Sequence, residues 1–243
     1  MSPSSPVVEP SLHGDLGARV VVRTDELDWE ASPAGTVWRK RLYRVGDVEG
    51  GQVTSLVRFE PGASFAEHGH PDGEEILILE GTFADERGSW GEGWYLLSPE
   101  ESGAHAPYSV AGCVLFVKLQ QYGGKGRPRV QIDTSELSWR PTGRDGIEEK
   151  VLFRDARFPD DTRLERWAAG ATADRSRVDG GLEIFVLEGE LADDLGSYPA
   201  GTWLRLPAGA RFAAVSAGGC RLYAKEGGVG ALRGDAATEA EGR

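Results

Sequence analysis

Gly62-Ala-Ser-Phe-Ala-Glu-His68-Gly-His70-Pro-Asp-Gly-Glu74-Glu75-Ile-Leu-Ile-Leu-Glu-Gly81 is the stretch on which the fold turns. Apolar and polar residues alternate around Pro71-Asp72-Gly73, a tripeptide with strong turn chemistry, so it reads as two strands joined by a tight turn. His68 and His70 stand two apart, and on a strand two such side chains leave the same face. The turn would bring Glu74 alongside them. Downstream, Gly93-Trp-Tyr-Leu-Leu-Ser-Pro99 reads as a further strand leading to His105. Three imidazoles and one carboxylate converging on a point form a ligand set for one borderline divalent ion: zinc or iron first, manganese or nickel also open.

Outward from that stretch the chain repeats itself. Leu56–Pro99 aligns with Leu164–Pro207 without a gap, and 17 of 44 positions are identical. Thr24-Asp-Glu-Leu-Asp-Trp29 has its double in Thr134-Ser-Glu-Leu-Ser-Trp139, and Val37–Arg44 in Ile147–Arg154. Each copy consists of short alternating strands separated by Gly, Pro and Asp turns, with no sustained helical period. The expected fold is all-β: two tandem jelly-roll or β-barrel modules from an internal duplication. The expected divisions are a mobile arm over 1–19, a metal-binding module over 20–122, and a joint with the first strand of the second repeat over 123–133. A second module without ligands over 134–225 and a disordered tail over 226–243 complete the chain.

The duplication supplies an internal control. In the second copy His68 becomes Ser176, His70 becomes Val178, Glu74 becomes Leu182 and His105 becomes Phe212. The glycines and prolines around them persist, as with Gly81 and Gly189 or Pro99 and Pro207. Four positions lost together imply one shared task, and unpaired imidazoles inside a barrel would otherwise be costly to desolvate. Glu75 survives as Glu183 in the copy without histidines, so its role is structural or at the surface, and Glu74 is the ligand. The second interior should be dry and packed.

Gly62, His68, His70, Glu74 and Gly81 follow the spacing of the first cupin motif; Gly93, Pro99 and His105 are recognisable as parts of the second, with a longer run between proline and histidine than usual and no Asn at the customary place. With Glu74-Glu75-Ile-Leu-Ile-Leu-Glu-Gly81 and Cys113-Val-Leu-Phe-Val-Lys118, the chain resembles the ChrR-like cupins, a family that includes the cupin part of an anti-sigma factor. The resemblance implies a bicupin with His68, His70, Glu74 and His105 as metal ligands. It also implies a metal-dependent small-molecule enzyme of dioxygenase type, or alternatively a non-catalytic sensor. The N-terminal zinc module by which the anti-sigma factor grips its sigma factor has no counterpart in this sequence, so that mode of capture is not expected.

Composition narrows the classes further. A net charge of −12 argues against nucleic acid and acidic membranes as partners, because phosphate binding needs clustered Lys and Arg. No apolar run approaches a membrane span of about 20 residues, and the N-terminus lacks the plan of a secretory signal. Two cysteines give no disulfide framework, and the expected location is cytoplasmic. The expected partner is a small-molecule ligand or substrate, with a homodimer through edge strands as a further expectation. Cys113, repeated as Cys220, reads as a buried small hydrophobe. Lys118, repeated as Lys225, reads as half of a structural salt bridge. Tyr95 and Tyr108 read as core or rim packing, His13 as solvent-exposed, and Gly91-Glu-Gly93 as a turn.

Overall fold

The computed structural model describes residues 11–47, 50–100 and 102–235, and these are nearly all β. In the first repeat the strands are β1 (Val20–Arg23), β2 (Glu30–Ala31), β3 (Val37–Val45), β4 (Gln52–Phe59), β5 (Ala63–Ser64), β6 (Glu74–Asp85), β7 (Gly88–Gly91), β8 (Trp94–Ser98), β9 (Tyr108–Ser109) and β10 (Cys113–Leu119). In the second they are β11 (Val130–Asp133), β12 (Arg140–Pro141), β13 (Ile147–Arg154), β14 (Asp161–Trp167) and β15 (Ala171–Val178). β16 (Leu182–Asp193), β17 (Gly196–Pro199), β18 (Thr202–Leu206), β19 (Ala210–Ser216) and β20 (Cys220–Glu226) follow. Among the described residues no helix is long and apolar enough to cross a membrane.

Each barrel is built on one long strand. The first half of β6 pairs with β8 and β10 in a large sheet, and its last residues pair with β7 and β9 in a small one. The switch falls at Gly81, whose φ is +73° and whose missing Cβ would stand 2.2 Å from the Gly112 carbonyl oxygen. Only glycine fits such a bend. Gly189 repeats the geometry in β16, with φ +70° and 2.2 Å to Gly219 O.

Period-two alternation gives these strands two buried faces. Ile76, Ile78, Val57, Leu115 and Val117 point into the first barrel, while Leu77, Leu56 and Phe116 point into an apolar layer shared with the second. From the other side that layer receives Leu164, Phe185, Trp203 and Tyr223, with Phe116 stacked on Phe185 at 4.8 Å between centroids. The same alternation sends Glu74 inward and Glu75 to the interface.

The two barrels exchange strands. β1 opens the first repeat but pairs with β18 of the second barrel, and β11 opens the second repeat but pairs with β8 of the first. The expected divisions at 20–122 and 134–225 therefore follow the repeat in the chain, whereas each barrel borrows a strand from the other. The arm expected to be mobile over 1–19 is held from residue 11 onward. Leu12 exchanges backbone hydrogen bonds with Arg44, His13 Nδ1 donates to Leu42 O at 2.7 Å, and Arg205 donates to the carbonyls of His13 and Asp15. His13 is thus half-buried rather than exposed. The tail expected to be disordered from 226 is likewise packed as far as Leu232, because Val229 and Leu232 enter the shared apolar layer. Residues 1–10 of the arm and 236–243 of the tail lie outside the described residues.

Candidate metal centre

The turn at Pro71-Asp72-Gly73 forms as read, with Gly73 N donating to His70 O at 3.0 Å. The strand before it does not. The chain leaves β5 at Ser64, His68 makes a single antiparallel bridge to His105, and His70 lies in irregular backbone just ahead of the turn. Alternation over residues 66–70 has no partner strand to make it a ladder. The bridge, with N–O distances of 3.0 and 2.9 Å, is what places His105 beside His68.

The three imidazoles converge nonetheless. Their centroids are separated by 4.9 Å (His68–His70), 5.0 Å (His68–His105) and 5.5 Å (His70–His105), and one ring nitrogen from each lies within 4.8 Å of the others. Glu74, first residue of β6, faces the same point, with Oε1 3.5 Å from His70 Nε2 and Oε2 3.8 Å from His105 Nε2. The four residues singled out in the sequence therefore meet in one place.

Their outer contacts fix which nitrogens face inward. His68 Nδ1 lies 2.8 Å from Ala66 O, which can only accept, so the hydrogen sits on Nδ1 and the Nε2 lone pair is free. His105 Nδ1 lies 3.2 Å from Asp85 Oδ2 in the same sense. Asp85 is thus the carboxylate behind a ligand-type histidine, the arrangement that orients an imidazole and raises its basicity. The sequence reading missed it because Asp85 recurs as Asp193 in the copy without histidines, so the internal control gave no sign of its role.

Burial tests whether a cation fits. Among the described residues His70 Nε2 and His105 Nε2 are buried without any hydrogen-bond partner, which a coordinated ion would remedy. Burial, followed by the neighbouring His68 and His105, lowers the His70 imidazole to about 3, so it stands neutral with a lone pair to donate. Burial also raises the Glu74 carboxyl, against the pull of the imidazoles. An acid pushed up and a base pushed down, side by side, mark this cluster as a candidate functional site. Three imidazole nitrogens and a carboxylate oxygen suit zinc or iron, and suit manganese or nickel as well.

Little open space surrounds the point of convergence. Two voids of about 10 Å³ each touch it, one lined by His70, Glu74, Ser98 and His105, the other reaching past Asp85 to Arg129 and Gln131. Arg87 pairs with Asp85 at 3.3 Å and donates to Ser102 O at 3.1 Å and Ala104 O at 2.6 Å. Arg129, just ahead of the exchanged strand β11, also reaches Ser102 O, at 3.0 Å. Two guanidiniums thus clamp the backbone that delivers His105.

A family model for the ChrR cupin-like domain matches the chain twice, over residues 17–123 and 127–230. The chain belongs to the ChrR cupin-like family. No curated protein matches it in sequence. Among solved structures, this bicupin is similar to a candidate dioxygenase from Nostoc punctiforme (TM-score 0.66, 12% identity, covering 86% of this chain and 82% of that one). It is similar to the bacterial pirin YhhW from Escherichia coli in complex with nickel(II) (0.63, 15%, 86% and 98%). It is also similar to a candidate glyoxylate-induced protein from Pseudomonas aeruginosa (0.68, 12%, 92% and 92%). At these identities the likeness shows the cupin fold alone.

The second cupin module shows what replaced the ligands. Val178, Leu182 and Phe212 are buried in its interior, and Phe212 meets Trp167 edge-on at 6.4 Å. The interior is not wholly apolar, however. Arg163 and Glu165 stand where the first module has Ser55 and Val57, joined at 2.7 Å, and Glu165 accepts from Trp167 Nε1 at 2.8 Å. At the mouth, Arg175 pairs with Glu226. A self-neutralising pair, satisfied on both sides, is tolerated in such an interior. Asp193, the counterpart of Asp85, has lost its histidine and instead accepts from Tyr198 and Arg19 at 2.6 Å each.

The remaining candidates also find their places. Cys113 and Cys220 are buried free thiols. Lys118 donates to Glu183 at 2.7 Å across the module interface, and Lys225 to Glu75 at 3.1 Å. Both lysines are therefore structural, and Glu75 is an interface residue. Tyr95 is fully buried, Tyr108 is exposed, and Gly91-Glu92-Gly93 turns between β7 and β8.

Proposed function

We propose that this bicupin holds one divalent transition metal ion in its first module, with His68, His70, His105 and Glu74 as ligands and Asp85 orienting His105. The observation that carries this reading is the pair of buried, partnerless imidazole nitrogens aimed at the same point as the Glu74 carboxylate. Zinc or iron suits the donor set best. When bound, such an ion supplies a Lewis-acidic position, and in the case of iron also redox chemistry with O2.

Two readings of what the centre does follow from its surroundings. The first is a small-molecule enzyme of dioxygenase type. A substrate chelating through two oxygens needs the Arg87 and Arg129 clamp on Ser102 and Ala104 to open, since voids of about 10 Å³ admit little more than one water. The second is a regulatory centre that senses a water-sized ligand or oxidant, and the tightness of the site favours it. Elemental analysis of protein purified from unsupplemented medium is the first test; less than about half an equivalent of any transition metal would refute the metal reading. Iron together with O2 consumption on a panel of diketones and catechols would establish the enzyme, and tight zinc without turnover the regulatory centre.

A further inference from the structure

Away from the metal-type site, a cleft of about 1100 Å³ lies between the two modules. Its floor is apolar, formed by Leu56, Leu77 and Leu79 on one side and Leu164, Phe185 and Leu187 on the other. Clefts of roughly this size at domain boundaries, apolar with a few placed polar groups, are the usual form of small-molecule sites.

The rim is built twice from the same parts. Trp29 carries Lys40 over its ring at 4.9 Å and Arg58 at 4.6 Å, while Trp139 carries Lys150 at 4.8 Å and Arg166 at 4.7 Å. Lys40 donates to Thr24 O and Lys150 to Thr134 O, each at 2.7 Å. Among the described residues neither ammonium has a carboxylate within ion-pair distance, in a protein of net charge −12 where most buried cations are paired. Burial, followed by the nearby Arg221 and Arg166, lowers Lys150 from the ordinary lysine value, against the pull of Asp133.

The duplication again serves as a control. All four metal-type ligands were lost in the second copy, yet Trp29, Lys40, Leu56, Leu79 and Glu80 recur as Trp139, Lys150, Leu164, Leu187 and Glu188. Each copy thus brings the same aromatic, cationic and apolar residues to the cleft, several of them also packed on the shared apolar layer, so that two like rims face one open space.

We propose that the inter-module cleft is a second binding site, for an amphiphilic monocarboxylate whose apolar tail lies on the leucine and phenylalanine floor and whose carboxylate is received by Lys40 or Lys150. A monoanion is specified because Asp25, Glu80 and Glu92 also face the cleft and would repel a second charge, while Glu188 is already paired with Arg221. The cleft is independent of the metal-type site and stands whether or not that site is catalytic.

Titration calorimetry of the metal-loaded protein with decanoate tests this, with decanol and decylamine as head-group controls and butyrate as a tail control. The expected result is saturable binding of decanoate with Kd below about 1 mM, none of the controls competing, and at least about a tenfold loss in Lys40→Gln/Lys150→Gln. Lys40→Arg/Lys150→Arg should retain binding, and unchanged melting curves show that the variants are folded. No saturable heat, equal binding of decanol, an unaltered affinity in the glutamine pair, or a dimer that closes the cleft in sedimentation would each overturn the proposal.

Discussion

His70 shows how one side chain carries the electrostatic cost of the site. In the metal-free protein its imidazole titrates at about 3 in the fold against an ordinary 6.5, so the unfolded chain takes up the proton first. The stability that His70 contributes is fully present above pH 6.5 and is lost as the pH falls toward 3, at up to about 1.4 kcal/mol per unit. Glu74, raised by burial, acts in the opposite sense and loses its contribution as the pH climbs above the ordinary carboxylate range. Urea unfolding of chelator-treated protein at a series of pH values should therefore show stability falling below 6.5. His70→Gln should flatten that slope, and an unchanged slope would assign it to another group. Asp85 acts one step further out. Asp85→Asn leaves all four candidate ligands in place but weakens the hold on His105, so metal affinity should fall by about 10–100-fold with little change in metal-free melting. Competition with a chromophoric chelator would measure it.

At the scale of elements, β6 and β16 share a length, a bend and a register, yet one delivers a carboxylate to a polar centre and the other Leu182 to an apolar core. The bend is a backbone matter, fixed by Gly81 and Gly189, and so survived in both copies. What fills the interior is a side-chain matter and was free to diverge. Phe212 occupies the place of His105 and is 4% exposed. Phe212→Ala should cost about 3–5 kcal/mol in chemical denaturation, because the rigid second barrel cannot close over the lost ring. A loss below about 0.5 kcal/mol would mean that Phe212 is not part of that core.

The whole molecule is held by reciprocal contacts between its halves. Lys118 of the first repeat meets Glu183 of the second, Lys225 of the second meets Glu75 of the first, and Tyr122 and Tyr223 both donate to Glu75. Lys118, fully buried, is lowered by burial in spite of Glu183; Lys225, which also meets Asp160 at 2.9 Å, is raised because two carboxylates outweigh its burial. Lys118→Met alone would strand Glu183 in the interface and should cost about 3–5 kcal/mol, whereas Lys118→Met/Glu183→Leu should recover most of that loss. Equilibrium unfolding should show one cooperative transition throughout, since each barrel contains a strand of the other.

Much of this was legible in the residues themselves. Turn chemistry, alternation and a repeat with 17 of 44 identities determine two all-β modules, and the joint loss of His68, His70, Glu74 and His105 from one copy marks the site. Those signals are local in sequence or comparative between copies, and need no knowledge of what touches what. Tertiary structure alone decided the exchange of β1 and β11, the docking of the arm from residue 11, the partnership of Asp85 with His105, and the cleft between the barrels. Each depends on pairing between residues far apart in the chain. An edge strand or a carboxylate has no preference of its own among partners, so its choice is set by packing and not by its neighbours in sequence.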